Sequence, residues 1–297
     1  MPDRKEIKVI QDLDELKAWR RSVGGTVGFV PTMGALHAGH AALMRQIRPR
    51  CEQSVVSIFV NPTQFAPGED FEKYPRTQAE DMRVCREEKV DVIFAPSAAT
   101  LFPTDFSTYV EETQLSQELC GRFRPGHFRG VTTVVLKLFQ LVRPQLALFG
   151  FKDAQQFFVL HKMGKDLNLD TQVSAIATVR EADGLALSSR NRYLSGEDRR
   201  LAPRLYQELK RAGEKLEAGE PIPVVLARAR EMLANAGFRV QYLECMEAPE
   251  LVPAQTQTAE SGRSYLVAAA AFLGATRLID NVLVHPEALA RSGIRLG

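Results

Sequence analysis

The sequence predicts an α/β protein: a Rossmann-like, doubly wound parallel sheet followed by a second, smaller α+β domain. Three observations predict it. Short runs rich in β-branched residues, apolar on consecutive positions, recur through the first part of the chain. Strands covered on both faces read this way. Helix-like stretches with start signals lie between the runs, and such a β-α-β series builds a parallel sheet. After about Val179 the pattern changes to long charged helical stretches and then to further strand-like runs.

Taken in order, the candidate strands of the first part are Val27–Val30, Val55–Val60, Val90–Ala95, Leu146–Phe149 and Val173–Val179. Asp12 with Glu15, and Thr77 with Glu80, have capping-box spacing and predict helix starts. Val131–Val142 is apolar enough to form a largely buried helix. A long charged helix is expected from near Ser195, with Asp198 completing its cap, toward Gly219. Pro203 inside that span predicts a bend or a restart. A second helix follows Pro223, and strands are expected at Val240–Cys245, Tyr265–Ala271 and Leu278–Val284. The division this implies is residues 1–178 and 179–297, joined without a flexible linker.

Composition narrows the function. A chain of 297 residues can bury a full core without disulfides or a structural metal. Its 38 Lys and Arg nearly balance 36 Asp and Glu, so a net charge of +2 gives no broad footprint for nucleic acid or an anionic membrane. Any anionic ligand must be held by a local cluster. Cys51, Cys85, Cys120 and Cys245 are scattered and form no CxxC pair. That spacing supports neither a disulfide framework nor a zinc site and suggests a reducing compartment. The start, MPDRKEIKVI, is charged from its third residue and lacks the apolar stretch of a signal peptide. The longest apolar run, Tyr265–Ala275, falls far short of the ~20 residues that span a bilayer. A cytoplasmic protein is expected.

Open α/β sheets bind ligands at the carboxyl ends of their strands. Four polar clusters fall there: Pro31–His40, Asn61–Phe65, Gly150–Asp153 and Leu187–Asn191. In the first, His37-Ala38-Gly39-His40 lies where a loop becomes a helix. A helix N-terminus offers unpaired N–H groups and partial positive charge to phosphate. Two histidines three apart share one face of such a turn and can both donate. Lys152 and Arg190 each follow a strand in a tight polar loop and suit phosphate as a point charge and a fork. Transfer at phosphorus asks for positioning and cations, which this inventory supplies. Ser188 or Ser189 could imitate a hydrolase nucleophile, but no GxSxG elbow is present. The amides of Gln64 and Gln156 could fix a small polyhydroxylated acid. Glu80-Asp81 is a candidate carboxylate pair for magnesium, with Asp81 the better ligand because Glu80 suits the capping box. Together these features suggest transfer at a nucleotide's phosphorus beside a small acid.

PTMGALHAGH, IFVNPTQF, YPRT, RPGHFRGV, GLALSSRN and TRLIDN, in this order between residues 31 and 281, resemble the pantothenate synthetase (pantoate–β-alanine ligase) family. That family belongs to the HxGH nucleotidyltransferase superfamily, with the class I aminoacyl-tRNA synthetases. The resemblance implies that ATP and (R)-pantoate give pantoyl adenylate and pyrophosphate, and that β-alanine then displaces AMP. It implies an ATP site lined by Met33, Gly34, His37, Gly39, His40, Gly150, Lys152, Asp153, Val179, Leu187, Ser188, Ser189 and Arg190. His40, His37, Lys152 and Arg190 would be catalytic, Gln64 and Gln156 would bind pantoate, and Asp81 would help hold Mg2+. The family's N-terminal domain forms a homodimer and its C-terminal domain a partial lid. One departure stands out: Phe151 occupies the place of the family's usual glutamate before Lys152-Asp153. Two rivals differ in class. A plain nucleotidyltransferase would favour a cationic acceptor pocket over two glutamines, and a non-catalytic ATP sensor would have lost some of His37, His40, Lys152 and Arg190.

Overall fold

The computed structural model describes residues 6–294 and 296; Met1–Lys5, part of the charged start, lie outside them. Contacts divide the chain into two units. The first runs up to Thr113 and adds Arg124–Gly150 and Val159–Ile176; the second takes Gln114–Phe123, Phe151–Phe158 and the chain from Ala177 on.

The first unit is built on a six-stranded sheet: β1 (Lys8–Ile10), β2 (Val27–Thr32), β3 (Gln53–Ile58), β4 (Val92–Phe94), β5 (Leu146–Gly150) and β6 (Gln172–Ile176). Their order is β1-β4-β3-β2-β5-β6, and every pair is parallel. β2, β3, β5 and β6 each bury four consecutive residues, the signature of strands covered on both faces. The helices are α1 (Leu13–Ser22), α2 (Ala38–Ile47), α3 (Gln78–Glu87), α4 (Ala98–Leu101), α5 (Cys120–Phe123), α6 (His127–Val142) and α7 (Ala154–Asp166). Of these, α5 and the first turn of α7 fall in the second unit. Chain order reverses at β2, whose neighbours are β3 on one side and β5 on the other. Ligands of open α/β sheets bind at such a switch point.

The second unit carries α8 (Gly196–Leu201), α9 (Arg204–Glu217) and α10 (Ile222–Asn235) against an antiparallel sheet. Its strands are β7 (Arg239–Ala248), β8 (Val252–Pro253), β9 (Ser264–Leu273) and β10 (Thr276–Val284), in the order β10-β9-β7-β8. The core joins Leu205, Leu209, Leu216, Val225 and Leu233 of the helices to Tyr265, Val267, Leu278 and Val284 of the sheet.

Several expectations shift. β3 ends at Ile58, before Val60, and β6 ends at Ile176, three residues short of Val179. β1 was not anticipated: it has three residues, one exposed, and sits at the sheet edge. Asp12 caps α1 as its spacing predicts, accepting from the N–H groups of Asp14 and Glu15. The Thr77–Glu80 box does not form, because the Thr77 hydroxyl donates to Asp81 Oδ1 instead, and Glu80 pairs with Arg83. Pro203 stands at the N-cap of α9, so the long charged helix restarts there.

Candidate functional site

β2 delivers the chain into Pro31–Leu36, a loop pinned from below. Thr32 Oγ1 donates to Ser57 O (2.6 Å) and accepts from Gly34 N (3.2 Å). Gly34 and Ala35 are both left-handed, at φ 79° and 49°. Glycine adopts this region freely and alanine does so only under constraint. The constraint is Asp81. This carboxylate, 1% exposed, accepts from Ala35 N (3.1 Å) at Oδ2 and from Leu36 N (2.8 Å) and Thr77 Oγ1 (3.1 Å) at Oδ1. A Cβ at Gly34 would meet its Oδ2 at 2.9 Å. Asp81, expected to help hold Mg2+, is thus a buried carboxylate that accepts from the loop's backbone.

The loop ends at the N-terminus of α2. His37 is the N-cap, and its Nδ1 accepts from Gly39 N at 3.1 Å. His40 Nδ1 accepts in turn from His37 N at 3.2 Å, and the two rings stand 4.1 Å apart. A neutral imidazole has one donor and one acceptor nitrogen. With both Nδ1 atoms accepting, both protons reside on Nε2. The same turn therefore carries two ring N–H groups beside the helix's own N–H groups.

After β3, Asn61 and Gln64 form a buried pair. Asn61 Nδ2 donates to Gln64 Oε1 (3.0 Å) and to Gly130 O (3.1 Å). Gly130 is required because a Cβ there would collide with the Thr63 carbonyl. The backbone of Gln64 is held as well: its carbonyl accepts from His127 Nδ1 (2.8 Å), whose Nε2 lies 3.0 Å from Arg124 Nη1. Arg124 grips Glu69 with two hydrogen bonds, at 2.7 and 2.6 Å. Burial opposes the charge on Glu69, but Arg124's hydrogen bonds and charge prevail and hold its carboxyl below the usual range. Asn61, Arg124 and His127 were not anticipated as site residues; the clusters NPTQF and RPGHFRGV were their only signal.

In the second unit, Phe151 is buried and packs against Phe157 and Phe158, at ring separations of 5.9 and 5.7 Å. Phe151 thus fills an aromatic cluster. Lys152 is half-buried and 3.7 Å from Asp153. Gln156 is half-buried on α7, whereas its neighbour Gln155 is fully buried and bonded to Cys120 N, Leu115 O and Glu118 O. Beyond Val179, whose carbonyl accepts from Leu187 N at 3.0 Å, Ser188 Oγ caps the turn that holds Ser189 and Arg190. Leu187–Arg190 are all half-buried. Met33, Gly34, His37, Gly39, His40, Gln64, Asp81 and Gly150 thus belong to the first unit, and Lys152, Asp153, Gln156, Val179 and Leu187–Arg190 to the second.

The parallel sheet and the HxGH turn after the switch-point strand define a Rossmann-like α/β enzyme. The family model for pantoate–β-alanine ligase matches residues 6–283. The pantothenate synthetase of Thermosipho africanus is 45% identical over 282 residues, covering 94% of this chain and 100% of that one. That of Pseudomonas paraeruginosa is 48% identical, covering 94% and 98%. Among solved structures, the pantothenate synthetase of Thermus thermophilus aligns with a TM-score of 0.86 at 42% identity, covering 93% of this chain and 99% of that one. A pantoate–β-alanine ligase from Francisella tularensis, described as complexed with β-γ ATP and β-alanine, aligns with a TM-score of 0.77 at 31% identity, covering 94% and 98%. The chain belongs to the pantoate–β-alanine ligase family.

Proposed function

We propose that this enzyme condenses (R)-pantoate with β-alanine through a pantoyl adenylate. A carboxylate oxygen of pantoate attacks the α-phosphorus of ATP, the bond to the β-phosphate bridge breaks, and pyrophosphate leaves. The amine of β-alanine then attacks the acyl carbon, AMP departs, and the nitrogen loses a proton to give pantothenate. The observation that carries this reading is the paired commitment of His37 and His40 Nδ1 to backbone N–H groups. It leaves the ring N–H of each histidine on Nε2 at a helix N-terminus, where charge developing on a phosphate is stabilised.

In this reading Met33, Gly34, Gly39, Gly150, Asp153, Val179, Leu187, Ser188 and Ser189 line the nucleotide site, mostly through backbone. His37, His40, Lys152 and Arg190 act on the phosphates. Gln64 and Gln156 hold pantoate; Gln64 Oε1 is already engaged by Asn61, so Gln64 recognises the acid as a donor through Nε2. Magnesium would accompany ATP and offset charge on the leaving pyrophosphate. Among the described residues no group of three His, Cys, Asp or Glu could hold a metal. The ion would ride largely on phosphate oxygens and water, as magnesium commonly does, needing at most one or two protein carboxylates.

A cytoplasmic location belongs to the same proposal, supported by four free thiols, and so does a homodimer, supported by the family resemblance. Among the described residues no helix is long and apolar enough to cross a membrane. The test is incubation with ATP, magnesium and pantoate, with and without β-alanine. AMP, pyrophosphate and the amide should appear together. ADP and inorganic phosphate would point to an acyl phosphate instead, and adenylyl transfer without an amide to a plain nucleotidyltransferase.

A further inference from the structure

The TRLIDN segment opens β10, and the chemistry assigned above uses none of it. Asp280 and Asn281 are 4% and 6% exposed. Burying such groups is costly unless they are satisfied, and here each is satisfied by one particular stretch of backbone or one cation. As strand neighbours they leave from opposite faces. Asn281 Nδ2 donates to two consecutive carbonyls, Phe151 O at 3.0 Å and Lys152 O at 2.9 Å. Asp280 receives both terminal nitrogens of Arg180, at 2.6 and 2.9 Å, and its Oδ1 also accepts from Asn281 N at 2.8 Å. Arg180 lies over the Tyr206 ring, 3.4 Å from its centroid, and donates to Gly184 O at 3.1 Å. Arg180 also bridges to Ala186, closing the loop from which Leu187–Arg190 emerges.

We propose that Asp280 and Asn281 are positioning residues for adenylate formation. Asn281 fixes the turn that carries Lys152, and Asp280, through Arg180, fixes the loop that carries Arg190. The proposal rests on the reading of Lys152 and Arg190 as phosphate-holding groups. A lysine ammonium on a flexible four-carbon stem is placed only as well as its backbone is. One carboxamide bonded to two successive carbonyls prevents that turn from rotating without leaving buried acceptors unmet. One two-residue step of a strand thus sets the origin of both cations.

The test is a mutant cycle read by pantoate-dependent ATP–pyrophosphate exchange. Asn281→Leu keeps the approximate shape and removes both donors. It should slow exchange by ~10–100-fold, the scale of a small misplacement of reacting groups, with KM for pantoate changed less than about twofold. Lys152→Ala should collapse exchange, and adding Asn281→Leu to it should cause no further loss, since residues acting through one group are not additive. Asp280→Asn should behave the same way toward Arg190→Ala. Should Asn281→Leu fail to fold, Asn281→Ala carries the same cycle without a clash. Multiplicative losses in the double variant, or wild-type exchange in folded Asn281→Leu, overturn the positioning role alone. Near-normal exchange in Lys152→Ala overturns the assignment of Lys152 itself and the proposal with it.

Discussion

The backbone N–H of His37 donates to His40 Nδ1 across 3.2 Å, and the two imidazoles stand 4.1 Å apart. With His37 Nδ1 engaged by Gly39, the pair caps α2 and carries its two ring protons on Nε2. Local structure and proposed chemistry are here the same hydrogen bonds, and this frames what each substitution should do.

Asp81→Ala should act on the loop and not on the metal requirement. Removing an acceptor that serves Ala35 N, Leu36 N and Thr77 Oγ1 leaves buried donors unmet, at about 1–3 kcal/mol. A lower melting temperature and a raised KM for ATP are expected, with an unchanged magnesium titration of the variant once ATP is saturating. A magnesium requirement shifted severalfold at normal stability would return Asp81 to the metal.

Gln64→Ala and Gln156→Ala should both raise KM for pantoate and leave ATP binding nearly intact. They should differ in stability. Gln64 is 8% exposed and accepts from Asn61, so its loss should also cost about 1 kcal/mol of folding free energy. Gln156 is half-buried, and its variant should melt near wild type. Isothermal titration with ATP, steady-state kinetics in pantoate and thermal melts separate the effects.

Glu69 links stability to pH. Its carboxyl is held below the ordinary range, chiefly by Arg124 against the cost of burial. A depressed folded value means the stabilisation is complete above the ordinary glutamate range, roughly pH 4–5. It is lost as pH falls through the folded value. Glu69→Gln should therefore melt lower than wild type at pH 7, and the gap should close on acidification. A gap that stays constant down to pH ~3 would mean Arg124 holds the uncharged side chain equally well.

Phe151→Glu, the residue the family resemblance places there, should destabilise this chain. Phe151 is buried against Phe157 and Phe158, so a carboxylate there would be desolvated among aromatic rings. Phe151→Leu should cost far less. A glutamate variant that melts at or above wild type would show that the turn accommodates an outward-facing side chain.

What the sequence revealed, and what it hid, follows from range. Strands such as Val27–Thr32 and Leu146–Gly150 declare themselves because burial on both faces demands consecutive apolar residues. The HxGH turn is equally local: cap, glycine and second histidine lie within four residues. The loop role of Asp81 stayed hidden because its partners are amides 45 and 46 residues away, turned toward it by a left-handed alanine that carries no sequence mark. Asn281 is more remote still, 129 and 130 residues from the carbonyls it holds. Its motif could be noticed, but its use could not. Lys8–Ile10 escaped because a three-residue edge strand is too short to show a period.

The central claim is that His40 works on phosphate charge through Nε2 while its Nδ1 helps cap α2. The direct measurement is the single-turnover rate of pantoyl adenylate formation in His40→Ala, beside its thermal melt. The rate should fall by ~10²–10³-fold, the scale of one lost preorganised donor. The melt should drop only by the equivalent of about 0.5–2 kcal/mol, the scale of a lost helix cap. A large drop in melting temperature with near-normal turnover in the folded fraction would contradict the account and leave His40 a structural residue.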